Sequence, residues 1–203
     1  MSWMFRIVLP LALLAGCQSA QQKRWTVEPV SSAEAPSRPM EGGDQQLFSA
    51  TRVGSVVVAA PYDNPQFQVR RADGTDAADP YNVFSASPSA LLRSPVQSYL
   101  RADGRLGHVV PQGSVVSTDA QVEVQVRRLS LDCRQAGERT ACADISVDFV
   151  RTGRGPRTVA YSGTGSARVE VDAQDRNYSR AFSEAFYKAL DTAVNDALPP
   201  RRK

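Results

Sequence analysis

The pattern of apolar and polar positions predicts seven strands and two helices beyond residue 46. Short apolar or alternating runs bounded by Gly, Pro and Asp predict strands, and apolar residues spaced three and four apart predict helices. The strands cover residues 52–59, 66–70, 81–86, 107–110, 119–133, 142–151 and 157–171, and the helices begin at Ser87-Pro88 and Asp175. This order predicts an α+β domain, in which a mostly antiparallel sheet carries two helices packed on one face.

Three irregularities are expected within these elements. The valines at 122, 124 and 126 and the leucines at 129 and 131 have opposite parity, which predicts a β-bulge near Arg127-Arg128. Pro95 falls inside the first helix and predicts a kink or a late start. Ser162-Gly163-Thr164-Gly165 predicts a break or bend in the last strand.

The first residues have the layout of an export signal. Arg6 is followed by nine apolar residues, Ile7 to Ala15, and then by the small residues Gly16 and Cys17. A transmembrane helix needs about 20 apolar residues, so this run is too short to span a bilayer. The pattern predicts that residues 1–16 are a signal peptide.

Cys17 stands where the apolar run stops. Leu14-Ala15-Gly16-Cys17 resembles the lipobox of bacterial lipoproteins, in which the cysteine thiol is lipidated and the chain is cut just before it. The resemblance implies that Cys17 is a lipid anchor in the membrane, and Gln18 rather than Asp after it implies export to the outer membrane. The alternative is an ordinary secretory signal with an incidental cysteine.

The residues after Cys17 are poor in apolar side chains. Gln, Ser, Pro and Glu dominate up to residue 46, so residues 17–46 are predicted to be the lipidated cysteine and a disordered tether. A chain of this length could extend on the order of 90–100 Å. The folded domain is predicted over residues 47–198, followed by a basic tail at 199–203.

The net charge and the cysteines limit which partners and which cross-links are expected. The 203-residue chain has a net charge of only +3, which does not support nucleic-acid binding. Cys133 and Cys142 bracket a polar loop, and in an exported protein such a pair predicts a disulfide. A metal site would need further Cys or His ligands, and His108 is distant in sequence.

No catalytic constellation stands out. His108 is the single histidine and is interpreted as a structural residue. Gly163-Thr164-Gly165 superficially resembles a phosphate-binding loop but lacks the lysine and third glycine of the known fingerprints. Asp144, Asp148, Glu170 and Asp172 have strand spacing and are expected to face water. The chain is therefore predicted to be non-enzymatic, with no cofactor and no metal.

Over about residues 50–198 the chain resembles the ABC-type transport auxiliary lipoproteins. The likeness rests on Val53-Gly54-Ser55-Val56-Val57-Val58 with PYDNPQFQVRRADG, and on NVFSASPSALLRSPVQSYLRADGRLGHVV. The first stretch is similar to the family's first strand, proline-bearing turn and second strand. The second is similar to its aromatic strand, proline-initiated helix and following strand, and the four-strand-and-helix finish agrees.

The resemblance implies a non-enzymatic lipoprotein on the periplasmic side of the outer membrane. It would dock, as an oligomer, against an MCE-type protein or ABC transporter subunits of a lipid-transport system of the paraquat-inducible type. A lipoprotein activator of a peptidoglycan synthase is the alternative, and its partner would be a penicillin-binding protein. A lipid-carrying chaperone would need more apolar residues than one modest core uses.

Overall fold

The computed structural model describes residues 22–27, 46–135, 137–153, 155–172, 174 and 177–200. These form eight strands and two helices. The strands are β1 (Lys23–Trp25), β2 (Ala50–Val58), β3 (Gln66–Arg70), β4 (Asp76–Phe84), β5 (His108–Val110), β6 (Ala120–Asp132), β7 (Thr140–Arg151) and β8 (Thr158–Glu170). The helices are α1 (Pro88–Ala102) and α2 (Tyr178–Ala197). The predicted signal peptide, Cys17 and residues 201–203 lie outside the described residues.

The long strand β6 organises the sheet. Along one side it pairs antiparallel with β7, which in turn pairs antiparallel with β8. Along its other side it pairs in parallel with β2 over its first half and with β3 over its last residues. Strand β5 extends the sheet beyond β2, and β4 followed by β1 extends it beyond β3. The sheet is therefore mixed, which corrects the predicted mostly antiparallel arrangement.

Both helices share one core on one face of this sheet, as predicted. Helix α2 lies across β7 and β8 and buries one apolar stripe, which includes Phe182, Phe186, Leu190 and Val194. Helix α1 packs beside β2 and β5. Phe67, Phe84 and Phe182 meet with ring centroids 4.6–5.3 Å apart, in tilted and edge-to-face geometries. Such aromatic contacts contribute beyond the buried area alone.

The helix ends follow the sequence signals only in part. Pro88 opens α1 as predicted, but the cap comes from elsewhere in the chain. The carboxylate of Asp63, in the β2–β3 loop, accepts from the backbone N–H of Ser89 at 2.8 Å and from its hydroxyl at 3.0 Å. A carboxylate at a helix N-terminus accepts hydrogen bonds from the free N–H groups there and interacts favourably with the positive end of the helix dipole. Helix α1 then continues through Pro95 without the predicted late start.

The expected irregularities have different outcomes. The register of β6 against β7 shifts between Val126 and Arg128, which confirms the predicted bulge. The predicted break at residues 162–165 is wrong, because β8 runs unbroken from Thr158 to Glu170. Gly163 and Gly165 instead lie directly beneath α2, where a Cβ atom on either would meet the helix backbone. These glycines allow close helix–sheet packing.

Candidate interaction surfaces

Strand β1 arises from sequence that was predicted to be tether. It pairs in parallel with β4, so that Lys23 lies opposite Asn82 and Trp25 opposite Phe84. The prediction of a disordered tether over residues 17–46 is therefore wrong for residues 22–27. The alternation of Trp25 and Val27 is a short strand signal that the polar composition around it concealed.

Trp25 fastens this strand to the rest of the domain. Its indole N–H donates to Asn82 Oδ1 at 3.1 Å, and its carbonyl accepts from Ser85 N at 2.6 Å. Its ring meets Tyr178, at the start of α2, edge to face at a centroid distance of 5.1 Å. Val27, the next inward residue, is 5% exposed and belongs to the core. The segment is thus built into the fold through both sheet pairing and side-chain packing.

The sheet face opposite the helices is polar. Its rows include Arg128, Asp144 and Ser166 in one line and Gln125, Ser146 and Thr164 in another. Gln125, Thr164 and Ser166 are exposed, so no helix of the described residues covers this part of the face. The arginines lie among carboxylates, as in the pair formed by Arg157 with Glu123 at 2.8 Å. The mixed charge is typical of a solvated face rather than an anion-binding site.

Exposed valines mark one end of this face. Val115 is fully exposed and Val116 is 44% exposed in the β5–β6 loop, and Val159 is 59% exposed on β8. Arg52 donates to the carbonyl of Val116 at 2.7 Å, which fastens the loop to the sheet. Arg52 of β2 lies opposite Gln121 of β6, which lies opposite Val150 of β7, and Val150 lies opposite Val159 of β8. Val159 is therefore at the same end of the sheet as the β5–β6 loop. We call the two exposed valines of the β5–β6 loop, Val115 and Val116, the distal patch.

The loop that carries this patch is fixed at its far end by Asp119. The Asp119 carboxylate accepts from Ser49 N at 2.9 Å and from Ala50 N at 3.0 Å. Slight burial acts in the opposite direction, but these backbone hydrogen bonds lower the pKa of Asp119 below its ordinary value. The carboxylate is therefore ionised at neutral pH and ties the start of β6 to the start of β2.

A cluster of polar side chains joins α1, and the loop that follows it, to α2. Tyr99 of α1 donates its hydroxyl to Asp191 of α2 at 2.7 Å, and burial together with that carboxylate raises the pKa of Tyr99. Arg105 donates to both oxygens of Asp103, at 2.7 and 2.6 Å, and to Asn195 Oδ1 at 2.9 Å. These groups are satisfied by one another and form a structural clamp rather than a reactive site.

The edge strands of the sheet are either short or partly capped by a side chain. Strand β5 has only three residues. The long strand β8 pairs with β7 alone among the described residues, but its backbone N–H at Thr164 donates to the Asp196 carboxylate of α2 at 2.9 Å. A side chain that caps an edge in this way hinders the addition of another strand. Among the described surfaces, the distal patch is therefore the better candidate for a protein contact.

From the sequence, His108 is interpreted as a structural residue rather than a catalytic or metal-binding one. His108 is exposed at the start of β5. The described residues contain no group of three or more His, Cys, Asp and Glu side chains arranged to hold a metal ion. No described helix has both the length and the apolar character needed to span a bilayer.

Cys133 and Cys142 are free thiols in the structure, so the predicted disulfide is not present. The register explains this outcome. Cys142 lies opposite Ser130, three residues before Cys133, and three residues along a strand cover roughly 10 Å. A disulfide requires Cα atoms within about 7 Å. The odd offset also directs the two side chains to opposite faces of the sheet.

Alkylation should distinguish the two thiols from a disulfide. We expect the protein purified without reductant to take up label at Cys133 and Cys142 after unfolding in denaturant. In the folded protein labelling should be slow, because burial raises the pKa of both thiols and Cys142 is only 1% exposed. Mass spectrometry of the labelled peptides measures this. A peptide pair that accepts label only after reduction would contradict the observed register.

Comparison with known proteins identifies the fold. No protein-family model matches the sequence, and the search of curated proteins finds no match. A Xanthomonas campestris protein of the DUF330 family is 14% identical, with a TM-score of 0.66 over 86% of this chain and 94% of that chain. An uncharacterised protein is 11% identical, with a TM-score of 0.54 over 85% of this chain and 97% of that chain.

A lipoprotein from Neisseria meningitidis also matches, at 10% identity and a TM-score of 0.37 over 60% of this chain and 83% of that chain. That score is too low to relate the two folds. At identities of 14% and 11%, the first two likenesses show a shared fold and leave the function open.

Proposed function

We propose that this protein is a lipid-anchored, non-enzymatic auxiliary component of an ABC/MCE-type lipid-transport system. Cys17 would hold it in the outer membrane, and the folded domain would face the periplasm. There it would dock, as an oligomer, on the periplasmic channel of the transporter. The resemblance over residues 50–198 and the lipobox at Leu14 to Cys17 support this proposal.

The observation that carries the docking role is the distal patch. Adjacent exposed apolar residues with polar residues around them are typical of protein-interaction sites. Val115 is the most exposed large apolar side chain of the described residues, and its loop is fixed by Arg52 and Asp119. A fixed loop loses little conformational entropy on binding, which favours its use as a contact.

The docked strand β1 weakens the main rival. A peptidoglycan-synthase activator would use a long tether to reach through the cell wall. With residues 22–27 in the fold, five peptide steps separate Cys17 from the first described residue. Five residues reach roughly 18 Å at most. The reach of about 90–100 Å predicted for the tether is therefore not available to such an activator.

Site-specific photocrosslinking tests the proposal. A photoreactive residue at Val115 in the lipidated protein should capture an MCE protein or ABC transporter subunit in membranes. The same residue at Lys188, exposed on α2, should not, and Cys17→Ser should reduce the capture because the anchor raises the local concentration. Capture of a penicillin-binding protein without any transporter subunit would overturn the transport role.

A further inference from the structure

The position of β1 limits how far the domain can stand from the membrane. Gln22 is the first described residue, and its side-chain N–H donates to the carbonyl of Pro80 at 3.1 Å. Strand β1 continues into Trp25 and Val27, which are held by the core. A lipid chain on Cys17 is thus separated from a fixed point of the fold by roughly 18 Å of chain at most, whatever its conformation.

The direction of β1 determines which end of the domain lies near that anchor. Lys23 lies opposite Asn82, near the end of β4. Because the two strands are parallel, the chain before Lys23 runs in the direction of Asp76, which lies six residues, or roughly 20 Å, from Asn82 along β4. Asp76 lies opposite Arg70, and Arg70 lies opposite Asp132 at the end of β6. The distal patch lies at the start of β6. The 13 residues of β6 span roughly 40 Å between the two ends.

The surface beside the start of β1 carries an exposed aromatic ring and two exposed cationic side chains. Tyr81 is 56% exposed and precedes Asn82, the partner of Lys23. Lys23 and Arg24 are both exposed on β1. Tyrosine rings lie at the headgroup level of bilayers, and lysine and arginine side chains extend from there toward water and phosphate. We call Gln22–Arg24 and Tyr81 the anchor corner.

Resting on the proposed lipid anchor at Cys17, we propose that the anchor corner is the surface through which the folded domain contacts the bilayer. Because β1 is docked on the sheet, the lipid anchor would fix the orientation of the domain relative to the bilayer. The distal patch then points away from the membrane, toward a partner that approaches from the opposite side. With the distal patch turned to the bilayer, Gln22 would lie farther from it than about 18 Å of chain can reach, because about eight residues of β6, or roughly 26 Å, separate the level of β1 from the start of β6.

Energy transfer to the membrane surface tests this orientation. The full chain, lipidated and with Cys133→Ser and Cys142→Ala, carries a donor dye at Ala72→Cys or at Val115→Cys. Both positions are exposed. The vesicles contain phosphatidylethanolamine and phosphatidylglycerol with an acceptor dye on the headgroup. We expect transfer at position 72 to exceed transfer at position 115 by at least about two-fold, because roughly 40 Å separates the two ends.

An insertion provides the matched control. About 20 Gly and Ser residues placed between Gln21 and Gln22 leave β1 docked but add an average reach of roughly 25 Å. Transfer at position 72 should then fall, and the difference between the two positions should largely disappear. That pair of results would support the proposal.

The other outcomes overturn it in different ways. Equal transfer at both positions in the vesicle-bound protein without the insertion, or higher transfer at 115, would disprove the orientation and leave the anchor intact. Failure to bind vesicles any better than Cys17→Ser would disprove the anchor, and with it both the orientation and the proposed function.

Discussion

Gly165→Ala is expected to lower the free energy of unfolding by about 3 kcal/mol, which is at the upper end for overpacking. A methyl group on Gly165 would be too close to the carbonyl oxygen of Ala189 and would lie 2.6 Å from Ala193 N. Both are backbone atoms of α2 and cannot rotate away. The helix would have to lift from β8 and lose part of the packing of its apolar stripe.

Urea unfolding monitored by circular dichroism measures this loss. Gly155→Ala, in the turn before β8, is the matched control because nothing lies within 4 Å of its added Cβ. That change should leave stability within about 0.5 kcal/mol or raise it slightly, since alanine restricts the unfolded chain. Equal midpoints for the two variants would show that α2 does not pack on β8 as closely as the structure indicates.

Asp103→Asn is expected to cost about 3–5 kcal/mol, the range for removing one partner of a buried ion pair. Arg105 is 7% exposed and Asp103 only 1% exposed, so the guanidinium would keep its charge without its carboxylate. Arg105 also donates to Asn195, close to the end of α2. The loss would therefore loosen the junction between α2 and the loop that follows α1.

Glu184→Gln is the surface comparison for this variant. Glu184 lies 2.7 Å from Lys188, but both side chains are largely solvated, at 42% and 60% exposure. Such a pair contributes less than about 1 kcal/mol. Unfolding midpoints in urea at low and high salt measure both effects, and only the Glu184 pair should weaken with salt. If the unfolding midpoint of Asp103→Asn differed from that of the parent protein by no more than the midpoint of Glu184→Gln does, the Asp103–Arg105 ion pair would not be buried as the structure indicates.

The candidate interaction surfaces were only partly visible in the sequence. The lipobox at Cys17 is a local motif, and it predicts a chemical event rather than a fold. Val115 and Val116 occur in a polar loop, yet nothing local shows whether a loop valine is buried or exposed. Exposure depends on which strands the loop joins, and here it joins β5 to β6 beside Arg52.

Strand β1 shows how a neighbouring composition can conceal a short element. Trp25 and Val27 are two apolar residues among many polar ones, too few to bury much area on their own. Trp25 joins a strand because it can pair with the edge of β4 and pack against the ring of Tyr178. The next residue, Thr26, donates its backbone N–H to the hydroxyl of Ser179. All of these partners are more than 50 residues away in the chain.

By itself the sequence determined the local features. Hydrophobic periodicity located both helices and the strands beyond residue 46, except that β4 begins at Asp76, five residues before the predicted run at 81–86. The parity change in β6 located its bulge, and Ser87-Pro88 located the start of α1. These signals depend on neighbours within a few residues, where backbone geometry is decisive. Tertiary structure alone decided the parallel pairing of β6 with β2 and β3 and the docking of β1 on β4. It also decided the separation of Cys133 from Cys142 and the close packing of α2 on Gly165. Each of these depends on contacts between distant segments, and strand order and register are set only when the whole core is packed.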